Sequence, residues 1–216
     1  MLVQSRRGSL MQSRFPDLVA AAADLSDGLV LDGELVVWVK GRMSFEALQR
    51  RAVSGGRTAV RLAQEMPAHF IAFDRLQVDG QELLHVPYGE RRAQLEQLFT
   101  DRNMSVPWAL CPETTTVATS QEWLMSWTQV PGVEGLVMRG SGQRYLPGSR
   151  ALYKVCRRGT TEAVVGAITG IVRRPQALVL GRLDEAGAFR PPVGRSTPLR
   201  PDPGGVPSVV GLQAAR

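Results

Sequence analysis

Lysine is nearly absent from this chain of 216 residues: Lys40 and Lys154 are its only two among 26 basic residues, and the rest are arginine. So extreme a ratio follows from a GC-rich genome as readily as from phosphate recognition, so arginine abundance alone carries little weight. Cysteine and histidine are equally scarce. Cys111, Cys156, His69 and His85 stand far apart with no CxxC pairing, which leaves no zinc site or disulfide framework legible and makes the two thiols ordinary core or edge residues. Long apolar runs are missing too, since none reaches the ~18 residues of a membrane-spanning helix. The opening Met1 to Gly8 lacks the charged and then apolar segments of a signal peptide. The expectation is a cytoplasmic protein with no membrane partner.

What is present is ordinary for a globular protein: 44% hydrophobic and 21% charged residues, enough for one large domain with an appendage. A formal charge of +6 and a pI of about 10.1 favour a polyanionic partner, although net charge speaks to non-specific attraction and not to fold.

Along the chain, Pro16 can open a helix that continues through Leu18 to Ala23, and Ser26-Asp27-Gly28 breaks it. Leu29 to Trp38 reads as a buried strand interrupted by Asp32 and Glu34, which period-two alternation puts on one face. Ser44 can cap a helix through Phe45, Leu48 and Ala52, and Thr58 to Glu65 forms a second before Pro67. Ala68 to Leu76 is another apolar strand, followed by a turn at Val78 to Gln81. Glu90 to Phe99 and Ser120 to Val130 are helices; the spacing of Leu95, Leu98 and Phe99, and of Trp123, Leu124 and Trp127, marks these as core residues. Val133 to Arg139 and Ala151 to Cys156 are further strands. Thr161 to Val172 alternates over small and β-branched residues, and Ala177 to Arg190 reads as a hairpin turning at Asp184 to Gly187, the opening of a small β-barrel. From Pro201 the tail has no periodicity and reads as disordered. This mixed order without βαβ repetition predicts an α+β fold with antiparallel sheets.

An unpaired carboxylate in apolar surroundings costs several kcal/mol, so acids inside greasy strands need a reason. Asp32, Glu34 and Glu134, with Lys154 on a further strand, form a candidate cluster: carboxylates for a divalent cation or ribose hydroxyls, and an ammonium for phosphate. The alternative is a wet sheet face on which these acids pair with arginines.

Ser5-Arg6-Arg7-Gly8, Leu31-Asp32-Gly33-Glu34-Leu35, Phe70 to Leu76 (FIAFDRL), Val133-Glu134-Gly135-Leu136-Val137 and Tyr153-Lys154-Val155 occur in this order. Each is weak alone. Together the order and approximate spacing resemble the motifs of the covalent nucleotidyltransferases, which include ATP-dependent DNA ligases, RNA ligases and mRNA-capping enzymes. The linking text, Tyr145 to Arg150 and Thr160 to Gly166, resembles the bacterial ATP-dependent DNA ligases in particular. The resemblance implies an adenylation core of antiparallel sheets with flanking helices at 1–158, a partial oligonucleotide-binding barrel at 159–200 and a tail at 201–216. It also implies use of ATP and Mg2+ and a nicked double-stranded DNA partner. Family ligases attack ATP with a lysine to form lysyl-AMP, pass AMP to the 5′ phosphate of a nick, and seal it when the 3′ hydroxyl displaces AMP. By position Arg6 would contact nick or nucleotide phosphate, with Arg7 beside it on DNA, and Phe73 would stack on adenine. Glu34 would address the ribose, Glu134 with Asp32 would hold magnesium, and Lys154 would neutralise the AMP phosphate.

The sequence departs from the family in three places. The nucleophile motif, Lys-x-Asp-Gly-x-Arg, occurs nowhere in the 216 residues, and neither Lys40 nor Lys154 is in register to replace it. The expectation is a chain truncated at both ends that has no catalytic residue of its own and cannot adenylylate itself. Cys156 stands where the family places a second cation, and Arg157 would point to the opposite strand face. The barrel segment supplies about three of the five strands expected. A non-catalytic nucleic-acid or nucleotide binder, or an RNA ligase or capping-type transferase, are the other readings.

Overall fold

The backbone of the computed structural model, which describes residues 1–130, 132–148, 152–156, 163–171, 173–190 and 197–198, divides into two units, Met1–Arg157 and Arg158–Arg216.

In the first unit the strongest local signals become elements where the pattern put them. Pro16 occupies the first turn of α1 (Pro16–Ala21), where its missing N–H costs nothing. β1 (Val30–Val39) leads into the short β2 (Arg42–Met43). The Ser44 hydroxyl accepts the Ala47 amide at 3.2 Å and caps α2 (Phe45–Val53), satisfying a donor that the first helical turn leaves free. α3 (Gly56–Glu65), β3 (Ala68–Val78), β4 (Gln81–Glu82) and α4 (Tyr88–Asp101) follow. β5 (Trp108–Leu110) and α5 (Val117–Ser126) precede a two-stranded hairpin of β6 (Gly135–Met138) and β7 (Tyr153–Cys156).

The main sheet runs β2-β1-β3-β4, with β5 joined to β3 in parallel. β1 and β3 are antiparallel, and Val37 faces Ala68 at one end of the ladder while Asp32 faces Asp74 further along. One face packs on two clusters. Phe15, Leu18, Val37, Ala47 and Ala68 close the first under α1 and α2. Ala72, Leu95 and Leu98 close the second under α4, with Leu31, Phe70 and Phe99 against them. Leu31, Leu35 and Val37 take part in this core, so alternation turns Asp32 and Glu34 to the other face. Gly33 between them is required by a close approach: a Cβ there would lie 2.4 Å from the Phe70 ring and 2.5 Å from the Ile71 oxygen.

Several findings differ from the sequence reading. β5 joins the sheet where the sequence pattern predicts no strand. Trp123, Leu124 and Trp127 are not core: α5 has no buried residue, the two indoles stack at 4.6 Å, and Trp127 is 37% exposed. Helical spacing says that three side chains share a face, not that the face is fully covered, and here Trp123 and Leu124 are only half-buried.

In the second unit β9 (Arg174–Leu183) is the hub, pairing antiparallel with β8 (Val164–Ile171), β10 (Phe189–Arg190) and β11 (Thr197–Pro198). The β9–β10 turn forms at Asp184 to Gly187 as the pattern predicts, with the Asp184 carboxylate accepting the Ala186 and Ala188 amides at 3.1 and 2.8 Å. The expectations for the tail from Pro201 and for the side chain of Arg157 lie outside the described residues, as do Ser149, Arg150 and 160–162 of the linking text.

An ion pair between a buried arginine and a half-buried aspartate fastens α1 and α2 to the start of β3. Arg51, fully buried, forks onto Asp17 at 2.6 and 2.7 Å and donates to the Met66 carbonyl at 2.9 Å, while the Ala68 amide donates to Asp17 at 2.9 Å. Burial alone would raise the Asp17 pKa, but the Arg51 hydrogen bond, the Ala68 amide and the Arg51 charge together hold it below the ordinary carboxylate value. Its contribution to stability is therefore complete above the unfolded value near ~4 and is lost as pH falls through the depressed folded value. We expect Arg51→Ala to cost about 2–3 kcal/mol in urea unfolding, because it empties a fully buried site and leaves the half-buried Asp17 carboxylate and the Met66 carbonyl without their donor. Asp17→Asn should flatten the loss of stability below pH ~4. An unchanged acid limb in Asp17→Asn would refute the linkage.

Candidate functional site

The face of the sheet that carries Asp32 is organised by a bulge. Asp32 stands opposite Asp74 and Gly33 opposite Ala72, so Phe73 is an extra residue on β3 with no partner on β1. Bulges re-aim side chains, and here consecutive residues address one group. Arg139, immediately after β6, donates to Asp74 Oδ2 at 2.9 Å while its guanidinium lies 5.2 Å from the Phe73 ring centre.

Asp74 has no solvent exposure and is held from two sides. Arg91, from the first turns of α4 and 2% exposed, donates from Nε and Nη2 to its two oxygens, both at 2.8 Å, and also to the Val86 carbonyl. The Arg139 guanidinium is also 5.0 Å from the Tyr88 ring. The Tyr88 hydroxyl donates to Glu113 at 2.8 Å, and Arg92 meets Glu113 at 3.2 Å and Glu96 at 2.7 Å. Burial pushes the Tyr88 pKa far above the usual tyrosine range, with the Glu113 hydrogen bond and charge adding to it.

Asp32 is the less compensated acid of the facing pair. It is half-buried and receives the Tyr145 hydroxyl at 3.3 Å. Burial raises its pKa; the Asp74 charge adds to this, and Arg139 and the Tyr145 hydroxyl only partly oppose it. Glu34 is exposed, and its charge is among those that raise the Cys111 thiol, chiefly through burial.

Glu134 and Lys154 lie on the β6–β7 hairpin and form an ion pair with each other. Both are exposed, so the buried-acid argument does not apply to Glu134 or Glu34. The acid it does describe is Asp74, which the sequence reading passed over although it sits in the apolar run Phe70 to Leu76. Among the described residues no hydrogen bond or ion pair joins the Glu134–Lys154 pair to Asp32, and no three His, Cys, Asp or Glu side chains are grouped to hold a metal ion. Cys156 is exposed and Cys111 half-buried, both as free thiols. Arg6 and Arg7 are exposed on a tight turn closed by the Gly8 amide on the Ser5 carbonyl at 2.8 Å and the Ser5 amide on the Ser9 carbonyl at 2.9 Å. No pattern in the sequence distinguishes Arg91, Arg139, Tyr88 and Tyr145 from the other arginines and tyrosines, whereas Asp74 carries a usable signal as an acid inside an apolar strand.

Comparison with known proteins gives this arrangement a context. The family model described as the ATP dependent DNA ligase domain matches residues 1–155. DNA ligase C2 of Mycolicibacterium smegmatis is 36% identical over 189 residues, covering 86% of this chain and 52% of the relative. DNA ligase C of Mycobacterium tuberculosis is 34% identical over 166 residues, covering 74% of this chain and 46% of the relative. A solved structure of mycobacterial DNA ligase D complexed with ATP and MES superposes with a TM-score of 0.57 at 29% identity, covering 92% of this chain and 60% of that one. The chain thus spans about half the length of the curated relatives it matches. No helix among the described residues is long and apolar enough to cross a membrane.

The raised Asp32 pKa has a defined sign. An ionised Asp32 is disfavoured in the folded state, so stability at this position is greatest below the unfolded pKa near ~4 and falls as pH rises through the folded value. Asp32→Asn should therefore unfold at equal or higher urea concentration than wild type at pH 7, with the difference vanishing below pH ~4. A variant markedly less stable at pH 7 would contradict the assignment.

Proposed function

This chain belongs to the ATP-dependent DNA ligase domain family, and from that membership we propose that its Met1–Arg157 unit is the nucleotide-pocket portion of an adenylation domain in a nick-sealing DNA ligase. The observation that carries this reading is the β3 bulge, which turns the Phe73 ring and Asp74 to the face of Asp32 and Glu34 and sets Arg139 against that ring.

The residues suit ATP by the chemistry of their donors. A half-buried planar ring offers a stacking surface for adenine. The exposed Glu34 carboxylate can accept from ribose hydroxyls, and the exposed Lys154 ammonium can turn from Glu134 to a phosphate as a point charge. Mg2+ commonly takes only one or two protein carboxylates together with substrate phosphates and water, and Glu134 with Asp32 supplies oxygens of that kind without a dedicated cage. When bound, the ion supplies positive charge against phosphate oxygens. Lys154 would screen the α-phosphate, Glu134 would be one of the carboxylates that hold the ion, and Phe73 would fix the base. Arg6 and Arg7, exposed on their turn, meet the phosphates of a nicked duplex, where arginine binds in bidentate fashion. The Arg158–Arg216 unit acts as part of an oligonucleotide-binding barrel.

The 216 residues hold no Lys-x-Asp-Gly-x-Arg, and Lys154, which pairs with Glu134, stands in no such motif. This polypeptide alone therefore binds nucleotide without forming a covalent adenylate. Incubation with α-labelled ATP and magnesium should leave the purified chain unlabelled, while calorimetry detects ATP binding that Lys154→Ala weakens about tenfold. Label that stays on the denatured chain would refute the first claim, and no heat of ATP binding the second.

A further inference from the structure

We propose that Arg139 is a positioning residue: its guanidinium, fixed by Asp74, sets the orientation of the Phe73 ring on which a nucleotide base stacks. This rests on the nucleotide-pocket reading above and deepens it by naming what orients the stacking surface.

The Phe73 ring needs such a device because of where it sits. As the extra residue of a bulge it has no partner opposite on β1, and cross-strand pairs are what ordinarily fix side chains on a sheet face. Arg139 supplies the missing neighbour. Its guanidinium is within cation–π range of two rings, 5.2 Å from Phe73 and 5.0 Å from Tyr88, and its side chain is only 14% exposed. Each neighbour that locates it is itself anchored. Asp74, which takes Arg139 Nη1 at 2.9 Å, is already gripped by Arg91 through both oxygens. Tyr88 is tied through its hydroxyl to Glu113. A flat cation so held presents a fixed surface to the ring, which a lysine ammonium cannot reproduce.

Arg139 also follows directly on β6, whose hairpin carries the Glu134–Lys154 pair. One side chain thus connects the base-binding ring on β3 with the strand that brings the phosphate-facing residues. The role is indirect, since Arg139 acts through Phe73 and is assigned no contact with the reacting atoms.

The test uses the full 216-residue chain, with ATP and inorganic tripolyphosphate as calorimetric probes that share a phosphate chain and differ in the base. We expect Arg139→Ala to lower ATP affinity about tenfold and to leave tripolyphosphate affinity within about twofold, a split that general loosening of the fold would not produce. Arg139→Lys keeps the charge beside Asp74 but not the flat surface, and should recover only a minor part of the loss. Tyr88→Leu, which removes one flanking ring and spares the Asp74 pairs, should weaken ATP roughly threefold with the same selectivity. If Arg139→Ala does not fold, the lysine and Tyr88 variants carry the same comparison. Equal loss of both probes, no loss of either, or full rescue by lysine overturns the proposal. Wild-type chain that binds no ATP overturns the pocket reading and this proposal with it, whereas wild-type binding indifferent to Arg139 overturns this proposal alone.

Discussion

A carboxylate with no access to water has to be compensated inside the protein, and Asp74 imposes that constraint on everything around it. Burying an ionised acid costs several kcal/mol unless its oxygens are hydrogen-bonded to opposite charge. Arg91 satisfies both oxygens from the start of α4, and Arg139 adds a third bond from the segment after β6. Three stretches far apart in sequence are thereby tied to one side chain. Removal of either arginine would leave the others incompletely paired, so the position of α4 on β3 and the approach of residue 139 to the sheet depend on each other.

The same device appears at the other end of β3 with a different outcome. Asp17 takes Arg51 and the Ala68 amide, and Arg51 lies 4.9 Å from the ring of Phe15. Each acid, Asp17 half-buried and Asp74 wholly buried, thus comes with a forked arginine and an aromatic ring. Phe15, however, is wholly enclosed, whereas Phe73 is half-buried. Enclosure on all sides makes the first arrangement a tether and nothing more. The second leaves an aromatic surface held in place and reachable from outside, which is what a binding site requires.

The sequence made visible those features whose cause is local. Ser44 before an apolar repeat, Pro16 at a helix start, Asp79-Gly80 between two strands and the alternation of β1 each state their geometry within a few residues. The features that define the site are non-local. The bulge at Phe73 exists only relative to the register of β1, and no pattern within β3 announces it. β5 is three residues long and owes its place to a parallel pairing with Phe70 to Ala72. Arg91 and Arg139 are indistinguishable from the other arginines of an arginine-rich chain until their partners are known. Alternation correctly set Asp32 and Glu34 on one face but could not say that this face is open at Glu34. The Trp123–Trp127 pair shows the same limit on a helix, because periodicity assigns a face and tertiary structure decides whether it is covered.

The facing acids, Asp32 and Asp74, show how such a site can hold charge without losing the fold. They stand opposite each other on adjacent strands, an arrangement in which like charges repel. The cost is divided unequally. Asp74 takes two arginines and disappears from solvent; Asp32 keeps a tyrosine hydroxyl and a share of the Arg139 charge, and stays half-buried with a raised pKa. The uncompensated part of the electrostatic cost therefore collects on the more accessible acid. A ligand hydroxyl or cation meeting Asp32 would relieve a penalty already present in the free protein, so binding there gains more than a new contact alone would give. The full compensation of Asp74 allows the imbalance at Asp32 to be tolerated, because the sheet beneath it is already fixed.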